Sequence, residues 1–266
     1  MYSFNYHKAA SVADAAGALA KNPEAKLLAG GQTLIASMKL RLTAPSDLVD
    51  LRDVAELRGI KVDGNAVTVG AMTRHAEVAA SKDVQKAIPA LAKLADGIGD
   101  RMVRNMGTLG GSVANSDPAA DYPAAVLGLG ATINTDKRKI AADQFFTGMF
   151  ETALQPGEIL TSVSFPIPKR AAYMKFKNPA SRYAIVGVFV ADTGSGVRVA
   201  VTGAAGSVFR VPDMEQALSK SFSPGAIDSI HVAAGALNSD MHASAEYRAH
   251  LVTVMAKRAV AQALAG

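Results

Sequence analysis

The 266-residue chain contains no cysteine. That absence excludes disulfides, a cluster of iron and sulfur held by the chain's own thiolates, and a cysteine nucleophile. Stability must rest on packing, and any iron–sulfur centre that works with this chain must sit on another. No run of about 18 apolar residues occurs, so no membrane-spanning helix is expected. The longest apolar stretches are broken by Gly128, Gly130, Asp192 and Arg198. Met1 to Ala10 (MYSFNYHKAA) has neither the basic nor the apolar region of a secretory signal, and a cytoplasmic location is the expectation.

Other absences narrow the chemistry. The formal charge is +5, but the basic residues are scattered and form no nucleic-acid-reading motif. Nucleic acid is therefore not an expected partner, whereas an acidic protein face is compatible with this charge. His7, His75, His231, His242 and His250 show no metal-ligand spacing, so no metal site is expected. Gly128-Leu129-Gly130 and Gly194-Ser195-Gly196 lack the third glycine of a Rossmann fingerprint, and no Gly-Lys-Ser/Thr of a P-loop exists. Gly110-Gly111-Ser112-Val113-Ala114 lacks the last glycine of a nucleophile elbow. No residue is assigned a catalytic role.

What is present is an apolar half, 49% of the chain, sufficient for a large core. Helices are expected at Ser11–Ala20 with Ser11 as N-cap, at Thr33–Leu40, and from Thr73 with Thr73 as cap. Asp83–Leu94 reads as a helix divided by Pro89. Strands are expected at Lys26–Ala29, Leu48–Leu51, Ala66–Gly70, Ala131–Thr135, Lys139–Ala141 and Ile159–Phe165. Met102–Asp121, rich in Gly, Asn, Asp and Ser, reads as a long ordered loop, and such loops are usually functional. Pro166-Ile167-Pro168 marks a domain boundary. Beyond it, Tyr183–Ala191, the turn Thr193-Gly194-Ser195-Gly196 and Val197–Val201 read as a hairpin. The Ala-rich stretch from Pro212 to Gly266 reads as helical, ending in one long helix near Ala243–Leu264. Tyr183 is a candidate core residue or a neighbour of the site.

Two segments carry the chemistry: Ala29-Gly30-Gly31-Gln32-Thr33-Leu34, and Gly107-Thr108-Leu109-Gly110-Gly111-Ser112. A diphosphate needs many donors and little bulk. Glycine lets the backbone approach closely, and successive N–H groups form an anion-binding concavity. Thr33, Thr108 and Ser112 add hydroxyls, and Gln32 adds an amide. Two such loops are suited to grip one pyrophosphate from opposite sides. Close behind, Asp117-Pro118 reads as a turn former.

At these residues the chain resembles a known family. LLAGGQTLIASMKLR, Leu27 to Arg41, looks like the first flavin loop of the FAD-binding medium subunit of molybdenum hydroxylases, the group that includes carbon monoxide dehydrogenase and xanthine dehydrogenase-type enzymes. Arg101 to Ala125, and Tyr173 to Phe176 followed by Pro179 to Ala184, are similar to it as well, so the resemblance spans nearly the whole chain.

The resemblance implies an α+β fold. Residues 1–168 would form an FAD-binding domain of the vanillyl-alcohol-oxidase-like (PCMH) type, with two α/β subdomains at about 1–55 and 56–168. Residues 169–266 would form a C-terminal domain with a three-stranded antiparallel sheet and a helical bundle. Ala29, Gly30, Gly31, Gln32, Thr33, Leu34, Ile35 and Ala36 would wrap the FAD pyrophosphate and ribose. Gly107, Thr108, Leu109, Gly110, Gly111 and Ser112 would meet the diphosphate from the other side. Ile98 matches a position near the isoalloxazine, Asp121 an acidic flavin contact, and Leu160 and Lys175 contacts from later strands, with Lys177 competing with Lys175.

The implied function is electron transfer within a heterotrimer. Partners would be a large molybdenum-cofactor subunit, a small 2Fe–2S subunit and an external acceptor (NAD, a quinone or another carrier). A stand-alone FAD oxidoreductase, with the region after Pro168 as substrate domain, is the competing expectation. A flavin-free assembly subunit is the third, and the intact glycine loops oppose it.

Overall fold

The computed structural model describes all residues from Met1 to Gly266. The chain opens with β1 (Asn5–Lys8), α1 (Val12–Lys21), β2 (Lys26–Leu28), α2 (Leu34–Lys39) and β3 (Asp47–Asp50). The strands form a parallel sheet in the order β1-β3-β2. The Ser11 hydroxyl caps α1, accepting from the Asp14 amide at 3.0 Å. Leu28, Met38 and Leu48 form a small core of their own, which seats α2 on this sheet. The glycine turn between β2 and α2 is thereby anchored at both ends.

A second unit follows: β4 (Ile60–Asp63), β5 (Ala66–Gly70), α3 (His75–Ala80), α4 (Lys82–Ala87), α5 (Pro89–Asp96), α6 (Arg101–Met106), α7 (Leu109–Asn115), α8 (Tyr122–Gly128), β6 (Thr132–Thr135), β7 (Lys139–Ala141), α9 (Ala142–Phe145), β8 (Phe146–Gly148), β9 (Glu151–Thr152) and β10 (Leu160–Pro166). Its sheet is antiparallel, in the order β4-β5-β10-β6-β7. Pro89 opens α5, where its missing N–H costs nothing.

The last unit contains β11 (Arg170–Lys177), β12 (Ala184–Asp192), β13 (Val197–Thr202), β14 (Phe209–Arg210), α10 (Pro212–Lys220) and α11 (Ala245–Ala265). The sheet has four strands in the order β11-β12-β13-β14, one more than the three expected, because Phe209 and Arg210 pair with Val201 and Ala200. β12 is buried along almost its whole length, because α8 packs on one face and α11 on the other. Its alternate residues enter different cores. Phe189 and Ala191 join the cluster of the N-terminal portion, whereas Val188 and Val190 join the C-terminal cluster.

Three local expectations are corrected. Met102–Asp121 is not one loop: it contains most of α6, all of α7 and the turns around them. These helices are too short to show a hydrophobic period; caps define them instead, Asp100 for α6 and Thr108 for α7. Thr73 does not cap α3, since its hydroxyl donates to the Gly59 carbonyl at 3.1 Å and Arg74 takes the cap position. The region after Pro212 is less helical than expected, with turns and irregular chain between α10 and α11.

Candidate functional site

The two glycine turns touch. A Cβ placed on Gly30 would lie 2.3 Å from the Met106 carbonyl oxygen and 2.7 Å from Gly107 Cα. No side chain fits there, so Gly30 is the point at which the first turn meets the second. A Cβ on Gly111 would lie 3.3 Å from Ala29 Cβ, so the contact continues into α7. Segments about 75 residues apart in sequence thus form one surface.

Donor bookkeeping separates the turns. In the second, almost every backbone N–H is used internally. Gly107 donates to Val103 O (2.7 Å), Leu109 to Thr73 O (3.0 Å), Gly110 to Ala71 O (2.8 Å) and Ser112 to Thr108 O (3.1 Å). Gly111 N–H donates to the Thr108 hydroxyl at 3.1 Å. Gly110 is a glycine because Ala71 leaves no room: a Cβ at this position would lie only 2.5 Å from Ala71 Cβ. In the first turn, no backbone N–H from Ala29 through Leu34 finds a backbone acceptor. Gly31 bends this stretch at φ +71°, and Gln32 and Thr33 are exposed on it. An uninterrupted run of unpaired donors on a bent backbone suits a multiply charged anion such as a diphosphate.

A second cluster lies beyond α6. The buried Asp121 carboxylate accepts from the Tyr173 hydroxyl and from Lys175 Nζ, the latter at 3.0 Å. Burial pushes the Asp121 carboxyl above its usual range, opposed first by the Lys175 ammonium and then by the Tyr173 hydroxyl. Burial and the Asp121 charge keep the Tyr173 phenol protonated. Lys175 points inward and Lys177 is exposed, so the structure brings Lys175 into this cluster and leaves Lys177 out. Ile98 is half-buried on the loop between α5 and α6. Leu160 is buried at a bulge of β10, next to Thr161, whose carbonyl accepts the Ala71 N–H at 2.8 Å. Leu160 is thus linked to the glycine turns through Ala71, the residue against which Gly110 packs.

Sequence reasoning missed the residues that join these parts. His75 is buried, its backbone N–H donates to Gly107 O at 3.0 Å, and its ring lies 5.3 Å from that of Tyr122. Burial, helped by the Arg104 charge, lowers its pKa to about 4, so the ring is neutral. His75 Nδ1 and the Tyr122 hydroxyl are both buried without partners. Arg104 and Arg182 hold the Ile98 loop through its carbonyls. Nothing in their spacing signals this, since the partners are backbone oxygens. Tyr183 is 47% exposed and is not a core residue; β12 begins one position after it. Asp117 forms the expected turn, accepting from the Ala119 N–H at 2.9 Å.

The architecture mixes α and β without a Rossmann core, and its free-donor glycine turn suits a diphosphate-bearing ligand. The family model for the FAD binding domain in molybdopterin dehydrogenase matches residues 2–168, and that for the CO dehydrogenase flavoprotein C-terminal domain matches residues 171–263. The chain is 37% identical to the carbon monoxide dehydrogenase medium chain of Afipia carboxidovorans, over 99% of this chain and 97% of that one. It is 36% identical to the nicotine 6-hydroxylase medium subunit of Paenarthrobacter nicotinovorans, over 98% of this chain and 97% of that one. Among solved structures, the carbon monoxide dehydrogenase of Hydrogenophaga pseudoflava superposes with a TM-score of 0.90 at 33% identity, covering 99% of this chain and 98% of the matched chain. The protein therefore belongs to the FAD-binding medium subunits of the molybdenum hydroxylases, an oxidoreductase family whose cofactor is FAD. No helix is long and apolar enough to cross a membrane.

Proposed function

We propose that the chain binds one FAD and relays electrons from iron–sulfur clusters on a small partner subunit to an external acceptor. A large subunit carrying molybdenum would perform the substrate chemistry. The observation that carries this reading is the run of unpaired N–H groups from Ala29 to Leu34, pressed against a second turn whose donors are mostly spent.

In this reading residues 1–168 form the FAD-binding domain and residues 169–266 the C-terminal domain. Ala29 to Leu34 hold the pyrophosphate, with Ile35 and Ala36 extending the contact along α2. Thr108 supplies the one second-turn amide without an acceptor, and the Ser112 hydroxyl adds a further donor. The packed remainder of Gly107–Ser112 fixes the distance between the turns. Ile98 and Leu160 give apolar surface to the ring, with the Asp121 carboxylate, held in place by Lys175, bounding it. When bound, the flavin exchanges one or two electrons, and so joins a one-electron donor to a two-electron acceptor. The absence of cysteine fits a division of labour in which clusters lie on another chain. The proposed location is cytoplasmic.

The test is a visible spectrum and an FAD titration of the purified chain, with affinity purification from the native host. Saturable FAD binding and co-purification of a cysteine-rich small chain and a molybdenum-containing large chain support the reading. Absence of flavin binding after reconstitution rejects it. Turnover of an organic substrate by the isolated chain would favour a self-sufficient oxidoreductase.

A further inference from the structure

Lys175 occupies an unusual position for a ligand-binding amine. Its ammonium has three protons, and the structure gives them three acceptors: Gly97 O at 2.9 Å, Asp121 Oδ2 at 3.0 Å and Arg182 O at 3.1 Å. The side chain is only 9% exposed. An amine so committed has no proton left for a ligand unless one of these bonds breaks.

Its acceptors show what it does instead. Gly97, Ile98 and Gly99 are consecutive, and each carbonyl receives a cationic donor. Lys175 serves Gly97. Arg104 serves Ile98 at 3.0 Å and Gly99 at 3.2 Å, and Arg182 also serves Gly99 at 3.2 Å. The donors come from β11, from α6 and from the connection between β11 and β12. The loop has little freedom otherwise: Gly99 sits at φ +50°, and a Cβ there would lie 2.8 Å from Val103 Cβ. Arg182 is itself left-handed, at φ +64°. Charge-assisted bonds of this kind are the strong ones.

We propose that Lys175 is a positioning residue: it ties the C-terminal sheet to the Gly97–Gly99 loop, and so sets the position of Ile98 against the flavin ring without itself contacting FAD. This rests on the reading of Ile98 as a ring-facing residue. The seat for the ring is then complete only when β11 is docked.

The experiment uses the full-length chain with Lys175→Met and Arg182→Gly; the second keeps the left-handed backbone at no steric cost and removes one clamping cation. Amide hydrogen exchange at Gly97–Asp100 is measured without FAD, followed by the FAD dissociation constant and the flavin midpoint potential. The expected result is faster exchange at Gly97–Asp100 in both variants before any FAD is added. FAD affinity should fall roughly tenfold for Lys175→Met and less for Arg182→Gly, with a shifted potential in both. Weakened FAD binding by Lys175→Met with unchanged exchange at these amides would mark Lys175 as a direct ligand and overturn the proposal. So would faster exchange with wild-type affinity and potential. If Lys175→Met does not fold, Lys175→Gln, which keeps a polar head, is read by the same criteria, with Arg182→Gly reporting on the clamp. Failure of the wild-type chain to bind FAD would reject the flavoprotein reading instead, and the exchange measurement would still report on the clamp.

Discussion

Gly30 has no space for a methyl group, because the Met106 carbonyl fills it. Gly30→Ala must push the two glycine turns apart, at a cost of about 1–3 kcal/mol typical of overpacking. The expected outcome is a lower thermal midpoint together with a larger loss of FAD affinity than the destabilisation alone explains; a titration with wild-type affinity would contradict it. Glu158 accepts from Arg138 and from the Thr135 hydroxyl and the Gln155 amide, and its pKa is held at about 2, chiefly by Arg138. Its folded pKa lies below the ordinary 4.5, so its stabilisation is complete above pH 4.5 and is lost as pH falls toward 2. Urea midpoints of Glu158→Gln should therefore lie below wild type at neutral pH and converge on it in that acid window. His75 follows the same sign in a different range: neutral when folded, it contributes stability above pH 6.5 that is lost toward about 4. Its imidazole resonances should stay in the neutral form down to about pH 4.

At the scale of elements, the short helices around Gly107 depend on caps more than on propensity. Thr108 belongs to the second turn and caps α7, its hydroxyl accepting the Gly111 N–H. Thr108→Ala should cost about 1 kcal/mol in stability and, if Thr108 also faces the diphosphate, a separate loss in FAD affinity. α11 shows a different dependence. Arg248 is 3% exposed and donates to Ile185 O at 2.6 Å, Gly203 O at 3.0 Å and Asp240 at 2.7 Å. Truncating it strands buried carbonyls, so Arg248→Ala should lower stability by about 3 kcal/mol with little effect on flavin affinity, as read by chemical denaturation beside FAD titration. Elements of ordinary length were legible: α1, β5 and α11 fall close to where a cap, an apolar run and an Ala-rich stretch put them. α6 and α7 were not, since helices of six and seven residues complete too few turns to show a hydrophobic stripe.

For the whole molecule, the decisive feature is a sheet shared between cores. β12 sends Phe189 and Ala191 into one and Val188 and Val190 into the other. Arg198 crosses the same boundary, to Leu127 O at 2.8 Å and to Asp143 at 2.7 Å. Separating the two portions would expose an apolar sheet face to water. Calorimetry should therefore show one cooperative transition rather than two, despite a family boundary near residue 170. Well-separated transitions would show that the shared sheet does not couple the portions.

Two hydroxyl-flanked diglycine segments suited to a diphosphate were legible in the sequence, because close approach and hydroxyl donors are properties of residue type and order; FAD followed from the family resemblance. It also determined that metal–sulfur chemistry by its own thiolates is foreign to this chain, since a missing element cannot be folded into existence. Tertiary structure alone decided which turn keeps its donors free: Ala71, Thr73 and Val103 consume those of the second, and no local pattern announces them. It likewise separated Lys175 from Lys177: strand alternation puts both on the same face, and only Lys175 is tied to Gly97 and Asp121.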